Sequence, residues 1–321
     1  MIKIEFDENP DKEWNDRLQT TDYGTIYQAK EYALFKKLKG EIPVFLKFID
    51  QKGDIIGQLL LLFNSKSNSK PTLGKIIRKA IGRSNLSCKW TYGPIIFDKN
   101  YSKQIGLELS NFLISKKCNI KGSEHPFEEE SFYGLDDRFR IKKWATFILD
   151  LKVGSDALWK KFDKHSAKKN IERSEQRGIL VKQMDKSDYL IFRKMSQDLG
   201  KGSQMELKAI EEQWDALQPV GYTGFLAFEK DEPIGGIMVG HFNGYLNEFN
   251  IVRTRRDYSK KLYSQDLLKW KIIEWAIGKN YNYYDLSGVN PEPQNEKEEG
   301  IFRYKKKWGG ELVNYKMISS N

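Results

Sequence analysis

Phe225-Leu226-Ala227-Phe228, a polar turn over 230–233, and then Ile234-Gly235-Gly236-Ile237-Met238 read as a β-hairpin. Two runs rich in Phe, Ile and Leu are parted by Lys, Asp, Glu and Pro, residues that stop strands and favour turns. Phe242-Asn243-Gly244 marks a second turn, and 245–252 is predicted as a third strand. A helix is predicted over 264–277, rich in Leu, Ile and Trp, with Gly278 in the position that follows a helix end. A further strand is predicted over 283–286. The order strand, strand, strand, helix, strand implies a mixed α/β layer.

An earlier stretch echoes the hairpin: Phe45-Leu46-Lys47-Phe48, a turn over 50–54, and Ile55-Ile56-Gly57-Gln58-Leu59-Leu60. Hairpins of this kind are common, so the echo alone leaves coincidence open. A duplicated domain nonetheless suits a chain of 321 residues. The element order is that of acetyltransferase-like (GNAT) proteins. The expectation is two tandem domains of that type, 1–150 and 151–321, each a mixed sheet flanked by helices.

Hydrophobic residues make up 39% and charged residues 31%, with eight Trp and sixteen Tyr, which is enough apolar material for real cores. Lys and Arg number 54 against 44 Asp and Glu, a net charge of +10 that favours anionic partners without choosing among them. Cys88 and Cys118 make no disulfide framework. The opening residues are acidic where a signal peptide needs an apolar run. The longest greasy stretch, 55–63, is interrupted by Gly57 and Gln58 and falls short of the about 20 residues that span a bilayer. These features predict a soluble cytoplasmic protein. No phosphate loop or GxGxxG occurs, and His125, His165 and His241 are far apart, so neither a metal site nor a bound cofactor is expected.

Two basic stretches stand out. Residues 155–177 read as one helix, with Ser155 as N-cap, Asp156 near the positive end and Gly178 as the stop. Leu158, Trp159 and Phe162 are spaced to face a core. Lys161, His165, Lys169, Arg173 and Arg177 recur at every fourth position, one stripe on a helix, with Lys160, Lys164 and Lys168 alongside. Asp163, Glu172 and Glu175 dilute the charge, so the stripe is either an RNA-phosphate surface or a solvated face. From 64 to 97 there is no Asp or Glu, yet Lys66, Lys70, Lys75, Arg78, Lys79, Arg83 and Lys89 all occur. A short amphipathic helix is predicted over 75–83, suited to lipid headgroups or to a phosphate backbone.

Near the end of the sequence stand Tyr284-Asp285-Leu286-Ser287-Gly288-Val289 and Gly300-Ile301-Phe302-Arg303-Tyr304-Lys305-Lys306-Lys307-Trp308-Gly309-Gly310. This pair resembles the closing signature of the FemABX family, the peptide-bridge aminoacyltransferases. Tyr304 and Trp308 stand where that signature carries phenylalanines. Other pieces agree in order: Tyr27-Gln28 with an early Tyr-Gln motif, Tyr92-Gly93-Pro94-Ile95 with a Gly-Pro-Val strand, and 144–160 with the junction between domains. The resemblance covers nearly the whole chain. The helical arm that some family members insert in the second domain is absent, because no long heptad segment lies between Arg177 and Gly221.

The resemblance implies an aminoacyl-tRNA donor and an amine acceptor on a peptidoglycan precursor or a related anionic peptide or lipid-linked molecule. It places the family's lysine on Lys305, framed by Tyr304 and Trp308, which are expected to contact the substrate. A fixed cation there would stabilise the oxyanion formed when an amine attacks an ester. From spacing alone, Lys305 is a surface lysine in a run of three. The resemblance also places on Lys36, or on adjoining Lys37, a contact to acceptor phosphates. Two alternatives stay open: an acetyl-coenzyme A N-acyltransferase and a non-catalytic RNA- or membrane-binding module. Against coenzyme A, residues 253–262 hold Arg255, Arg256 and Tyr258 but no glycine, where pyrophosphate cradles need close backbone approach. Arg255 and Arg256 suit separated phosphates better.

Overall fold

In the computed structural model, the described residues are 2–65, 86–116, 118–128, 131–132, 135, 137–200 and 206–320. The chain divides into two compact units. The first holds 1–145 together with 313–321, and the second holds 146–312. The final strand therefore returns to the first unit, whereas a linear split after residue 150 assigns it to the second.

The first unit grows from its hairpin. Strand β1 (Lys3–Asp7) pairs antiparallel with β2 (Ile42–Ile49), and β2 with β3 (Ile55–Ser65), in a register that sets Phe45 opposite Leu60. β4 (Leu86–Lys89) adds antiparallel to β3, and a two-residue β5 (Ile95–Ile96) also pairs with β3. β6 (Asn119–Ser123) runs parallel to β4. Helices α1 (Trp14–Gln19), α2 (Lys30–Leu38) and α3 (Ser102–Ser115) complete the unit.

Strand alternation decides which side chains meet the helix. Val44, Leu46 and Phe48 on β2 and Leu59, Leu61 and Phe63 on β3 share one buried cluster with Ile105, Leu109 and Leu113, one helical turn apart on α3. The opposite face of the hairpin is buried as well: Phe45 meets Trp14 edge-on at 4.8 Å. Gln28, wholly buried, accepts from the Leu60 N–H (2.7 Å) and donates to the Thr91 carbonyl (2.8 Å). Its partners are backbone groups, so the early Tyr-Gln motif serves the architecture.

The second unit repeats the plan. β8 (Ile179–Gln183), β9 (Thr223–Glu229), β10 (Glu232–Phe242) and β11 (Tyr245–Arg253) are successive antiparallel neighbours, and β12 (Tyr283–Val289) lies parallel to β11. Before them, β7 (Arg140–Asp150) brings its 146–150 end beside β12. The helices are α4 (Ser155–Lys161), α5 (Lys169–Gln176), α6 (Lys186–Asp198), α7 (Leu207–Leu217), α8 (Arg255–Lys260), α9 (Ser264–Gly278) and α10 (Glu296–Lys306). The last strand, β13 (Glu311–Ser319), belongs to the first unit from Val313 onward and pairs antiparallel with β6. Each unit thus contains an antiparallel run followed by one parallel pair, β4–β6 in the first and β11–β12 in the second.

Three local expectations change. The helix expected over 155–177 is broken, with its N-cap at Gly154 rather than Ser155. At the break Phe162 is extended and buried against Trp159, Trp270 and Trp308, and Asp163 then caps a π turn, Lys164–Lys168, through the N–H groups of His165 and Ser166. Burying an aromatic ring outweighs the few hydrogen bonds of a continuous helix. Gly278 is the last residue of α9, and Asn280 takes the left-handed conformation beyond it (φ 57°). Residues 253–262, read as a loop, contain α8, capped by the Thr254 side chain at the Asp257 N–H.

No helix among the described residues is long and apolar enough to cross a membrane. Gly106 on α3 offers a test of the first core. A Cβ built there would lie 1.4 Å from the Ser131 carbonyl oxygen, a backbone atom that cannot step aside. Gly106→Ala should lower unfolding stability by about 3 kcal/mol, the upper end of overpacking costs. A urea midpoint equal to wild type would show that α3 is not seated this tightly.

Candidate active site

β11 and β12 pair at Tyr245↔Tyr283, Leu246↔Tyr284 and Asn247↔Asp285. Both strands continue, to Arg253 and Val289, with no further pairing between the two among the described residues. The sheet therefore opens at Asp285, a carboxylate with no exposure to water. Its Oδ1 accepts from the Ser287 N–H (2.7 Å) and the Thr146 hydroxyl, and its Oδ2 from the Tyr245 hydroxyl (2.9 Å) and Asn247 Nδ2 (3.4 Å). Ser287 sits in the left-handed region (φ 66°), and its hydroxyl donates to the Glu248 carbonyl across the opening. These bonds turn the carbonyls of Ser287 and Gly288 toward α10.

Helix α10 is built to deliver a cation to that point. The Asn295 side chain caps it at the Glu298 N–H; Glu296, Glu298 and Glu299 occupy its first turn, and Arg303, Lys305 and Lys306 its last. Each set of charges complements the helix dipole. Glu298 also accepts from Asn290 Nδ2 (2.8 Å) and the Gln294 N–H (2.9 Å), tying the preceding loop to the helix. Lys305 Nζ donates to the carbonyls of Ser287 (2.9 Å) and Gly288 (3.0 Å). Lys305 is therefore half-buried and anchored, unlike the surface lysine its spacing suggests. An ammonium has three protons, and two are used, which leaves one N–H for a ligand. Burial pulls its pKa down to about 8, against the opposing pull of Asp285.

Beneath the opening lies a second lysine. Lys269 on α9, 1% exposed, pairs with Glu248 on β11, 4% exposed, and the Tyr284 hydroxyl donates to the same carboxylate (2.7 Å). Burial pushes the Lys269 pKa well below its ordinary value, with Lys305 and Lys307 adding repulsion. Sequence reasoning passed over this group. The available signal was a lysine inside an apolar run, Leu267-Leu268-Lys269-Trp270, at a helix position that faces the sheet. Asp285 and Thr146 fell inside motifs already noted but were given no role, because their meeting is set by strand pairing.

The aromatic frame is structural. Trp308 is wholly buried, edge-on to Phe162 at 5.2 Å. A packing role thus replaces the direct substrate contact expected for it. Tyr304 places a buried hydroxyl, with no hydrogen-bond partner among the described residues, beside the α9 N-terminus, where Asp266, Arg253 and Asp257 supply the local field. Lys307 lies over the Tyr304 ring (4.4 Å) and pairs with Asp266, which also accepts from Asn170 Nδ2 (2.9 Å). Burial raises the Asp266 pKa, with Lys307 the main opposing influence. The Gly309-Gly310 pair passes where side chains would collide: a Cβ on Gly309 (φ 68°) would meet Lys161 at 2.6 Å.

The expected RNA stripe does not survive as one row. Lys161 ends α4, and Lys169 begins α5 beyond the break; both are exposed. Arg173 reaches the Tyr263 hydroxyl (3.5 Å), and Arg177 donates to the carbonyls of Lys260 (2.7 Å) and Lys261. The two arginines thereby join the 260–263 segment. Arg255 is exposed on the first turn of α8, whereas Arg256 is neutralised by Glu229 and Glu232. Lys36 pairs with the buried Glu41 (3.5 Å) and lies 5.2 Å from the Tyr32 ring centre; Lys89 pairs with the same carboxylate (2.8 Å). The stretch Lys66–Arg83, expected to meet an anionic surface, lies outside the described residues. No group of three or more metal-ligating side chains occurs among the described residues.

No protein-family model matches the sequence, and no curated protein matches it. The fold is shared with solved structures. FemX superposes with a TM-score of 0.69 at 14% identity, over 97% of this chain and 96% of FemX. The C-terminal domain of a putative lysylphosphatidylglycerol synthetase from Agrobacterium fabrum gives 0.57 at 8% identity, over 97% and 91%. A tandem GNAT protein from the clavulanic acid biosynthesis pathway gives 0.56 at 10% identity, over 99% and 98%. The chain therefore has the tandem GNAT-like fold that its hairpins and closing signature implied.

If Asp285 holds the Lys305 ammonium in its charged form, Asp285→Asn must lower the lysine's pKa below about 8. The rate of Lys305 modification by an amine reagent, read by mass spectrometry against pH, should then have its midpoint displaced to lower pH. An unmoved midpoint would remove Asp285 from the electrostatics of the site.

Proposed function

We propose that the chain is an acyltransferase that moves an aminoacyl group from an aminoacyl-tRNA to an amine, with a peptidoglycan-precursor peptide or a related anionic or lipid-linked molecule as acceptor. The observation that carries this reading is Lys305: a cation fixed by two carbonyls where the sheet parts, with one N–H to spare. Supporting it are the closing signature around that lysine, its resemblance to the peptide-bridge aminoacyltransferases, and the fold shared with FemX. A named lysylphosphatidylglycerol synthetase domain on the same fold agrees with an aminoacyl donor.

The reaction asks for little more. The acceptor nitrogen attacks the ester carbonyl carbon, and the carbonyl electrons move onto oxygen. The spare Lys305 N–H is the donor for that oxyanion. When the carbonyl re-forms, the ester C–O bond breaks, and the ribose oxygen leaves with the proton given up by the amine. A preorganised cation in a water-poor site is worth about 3 kcal/mol to such a step. Lys305 must be charged to do this. With a pKa near 8 the ammonium is present at neutral pH and lost as the pH rises. A general base at the same position would give the opposite slope.

The test is transfer from charged tRNA to candidate peptides, followed by mass spectrometry. Lys305→Ala should reduce kcat/KM roughly a hundredfold, and the ratio of the wild-type rate to that of Lys305→Ala, which cancels the acceptor amine's own titration, should fall as pH rises through about 8. Full activity in Lys305→Ala, or a ratio that climbs through that pH, would defeat the oxyanion role. Transfer from acetyl-coenzyme A, with none from tRNA, would replace the donor.

A further inference from the structure

Tyr258 is 73% exposed, more than any other large apolar or aromatic side chain among the described residues. The segment that carries it is held firmly from below. Thr254 caps α8, and the buried Asp257 carboxylate accepts from Arg253 and from the Ser264 N–H (3.0 Å). A rigid base with an outward aromatic ring is an arrangement that apolar burial cannot explain. The Arg253 guanidinium lies 5.1 Å from the Tyr258 ring centre and is pinned there by Asp257. One face of the ring thus has a fixed cation, and the high exposure leaves the other open.

The surroundings are basic and largely uncompensated. Arg173 and Arg177 meet a tyrosine hydroxyl and two backbone carbonyls, partners that leave their charges intact. Both guanidiniums also lie near the Tyr263 ring, at 5.7 and 6.0 Å. Arg255 and Lys261 are exposed, with no acidic partner recorded among the described residues, while Glu229 is occupied by Arg256 and Lys260. Separated cations along the 255–263 segment that carries an open ring match one class of ligand, a single-stranded nucleic acid, which alternates phosphates with flat bases. From this platform contacts lead inward. Arg253 acts on Asp266, Asp266 holds Lys307, and Lys307 covers Tyr304, the neighbour of Lys305.

We infer that Tyr258 is the stacking platform for the unpaired 3′-terminal bases of the donor RNA, with Arg173, Arg177, Arg255 and Lys261 receiving its phosphates. The inference rests on the aminoacyl-tRNA reading above and adds the place where the RNA end is held. Stacking and phosphate contact have different signatures. A base on an aromatic ring releases no counterions, whereas each phosphate contact steepens the salt dependence.

A short single-stranded RNA ending in CCA, labelled at its 5′ end, is the probe, and anisotropy against salt is the readout. Tyr258→Ala should weaken binding about tenfold or more at every salt concentration with the slope unchanged, and Tyr258→Phe should bind as wild type. The double variant Arg173→Gln, Lys261→Gln should flatten the slope. Thermal unfolding of Tyr258→Ala should match wild type, since an exposed ring carries little stability. Equal binding by Tyr258→Ala and wild type would overturn the platform and leave the proposed reaction standing. No RNA binding by wild type would bring down the donor assignment and the platform together.

Discussion

A carboxylate removed from water must find donors for its lone pairs or lose several kcal/mol of stability. Asp285 finds them on β7, on β11 and in its own strand: Thr146, Tyr245, Asn247 and the Ser287 N–H. That demand fixes where β11 and β12 stop pairing, and it bends Ser287 into a conformation that residues other than glycine seldom adopt. The carbonyls that grip Lys305 are aimed by the same bend. The buried Lys269–Glu248 pair works under a similar rule, since loss of either member would leave the other charge stranded, at a cost of about 3–5 kcal/mol. The candidate site is thus supported by polar groups that tolerate little change. The apolar cores around it can repack.

Much of the fold was legible because short-range rules decide it. The hairpins over β2–β3 and β9–β10 follow from apolar runs and turn residues, α9 from its Leu, Ile and Trp content and the glycine at its end, and β12 from the apolar segment after it. The break at Phe162 was barely legible: its one local mark is Asp163, a capping residue that reads as a surface charge within the basic stretch. The break exists for the sake of Trp159, Trp270 and Trp308, the latter two far away in sequence. Lys305 was found only through its motif. Composition could not separate it from Lys306 and Lys307, and its burial depends on two carbonyls at Ser287 and Gly288. Glu248 and Lys269 were missed for the same reason: a charged pair in a core is visible only once strand and helix are brought together.

The chain's basic excess is also sorted by structure. Arg256, Lys36 and Lys89 are paired with Glu229, Glu232 and Glu41 and have little charge left to offer. Arg173 and Arg177 hold neutral groups and keep theirs. A count of lysines and arginines cannot make that distinction, which is why a stripe drawn from spacing alone mixed residues on two helices.

The return of β13 to the first unit has a consequence for how the protein is made. Until residues 313–319 leave the ribosome, β6 has no partner on that side, although everything else in the first unit was synthesised before any of 146–312. At about 5–20 residues per second, the first unit waits many seconds with an open sheet edge. Such an edge is a template for pairing with other chains. Nascent chains crowded on one messenger are therefore exposed to mispairing at β6, and the second unit must emerge in full before the first can close.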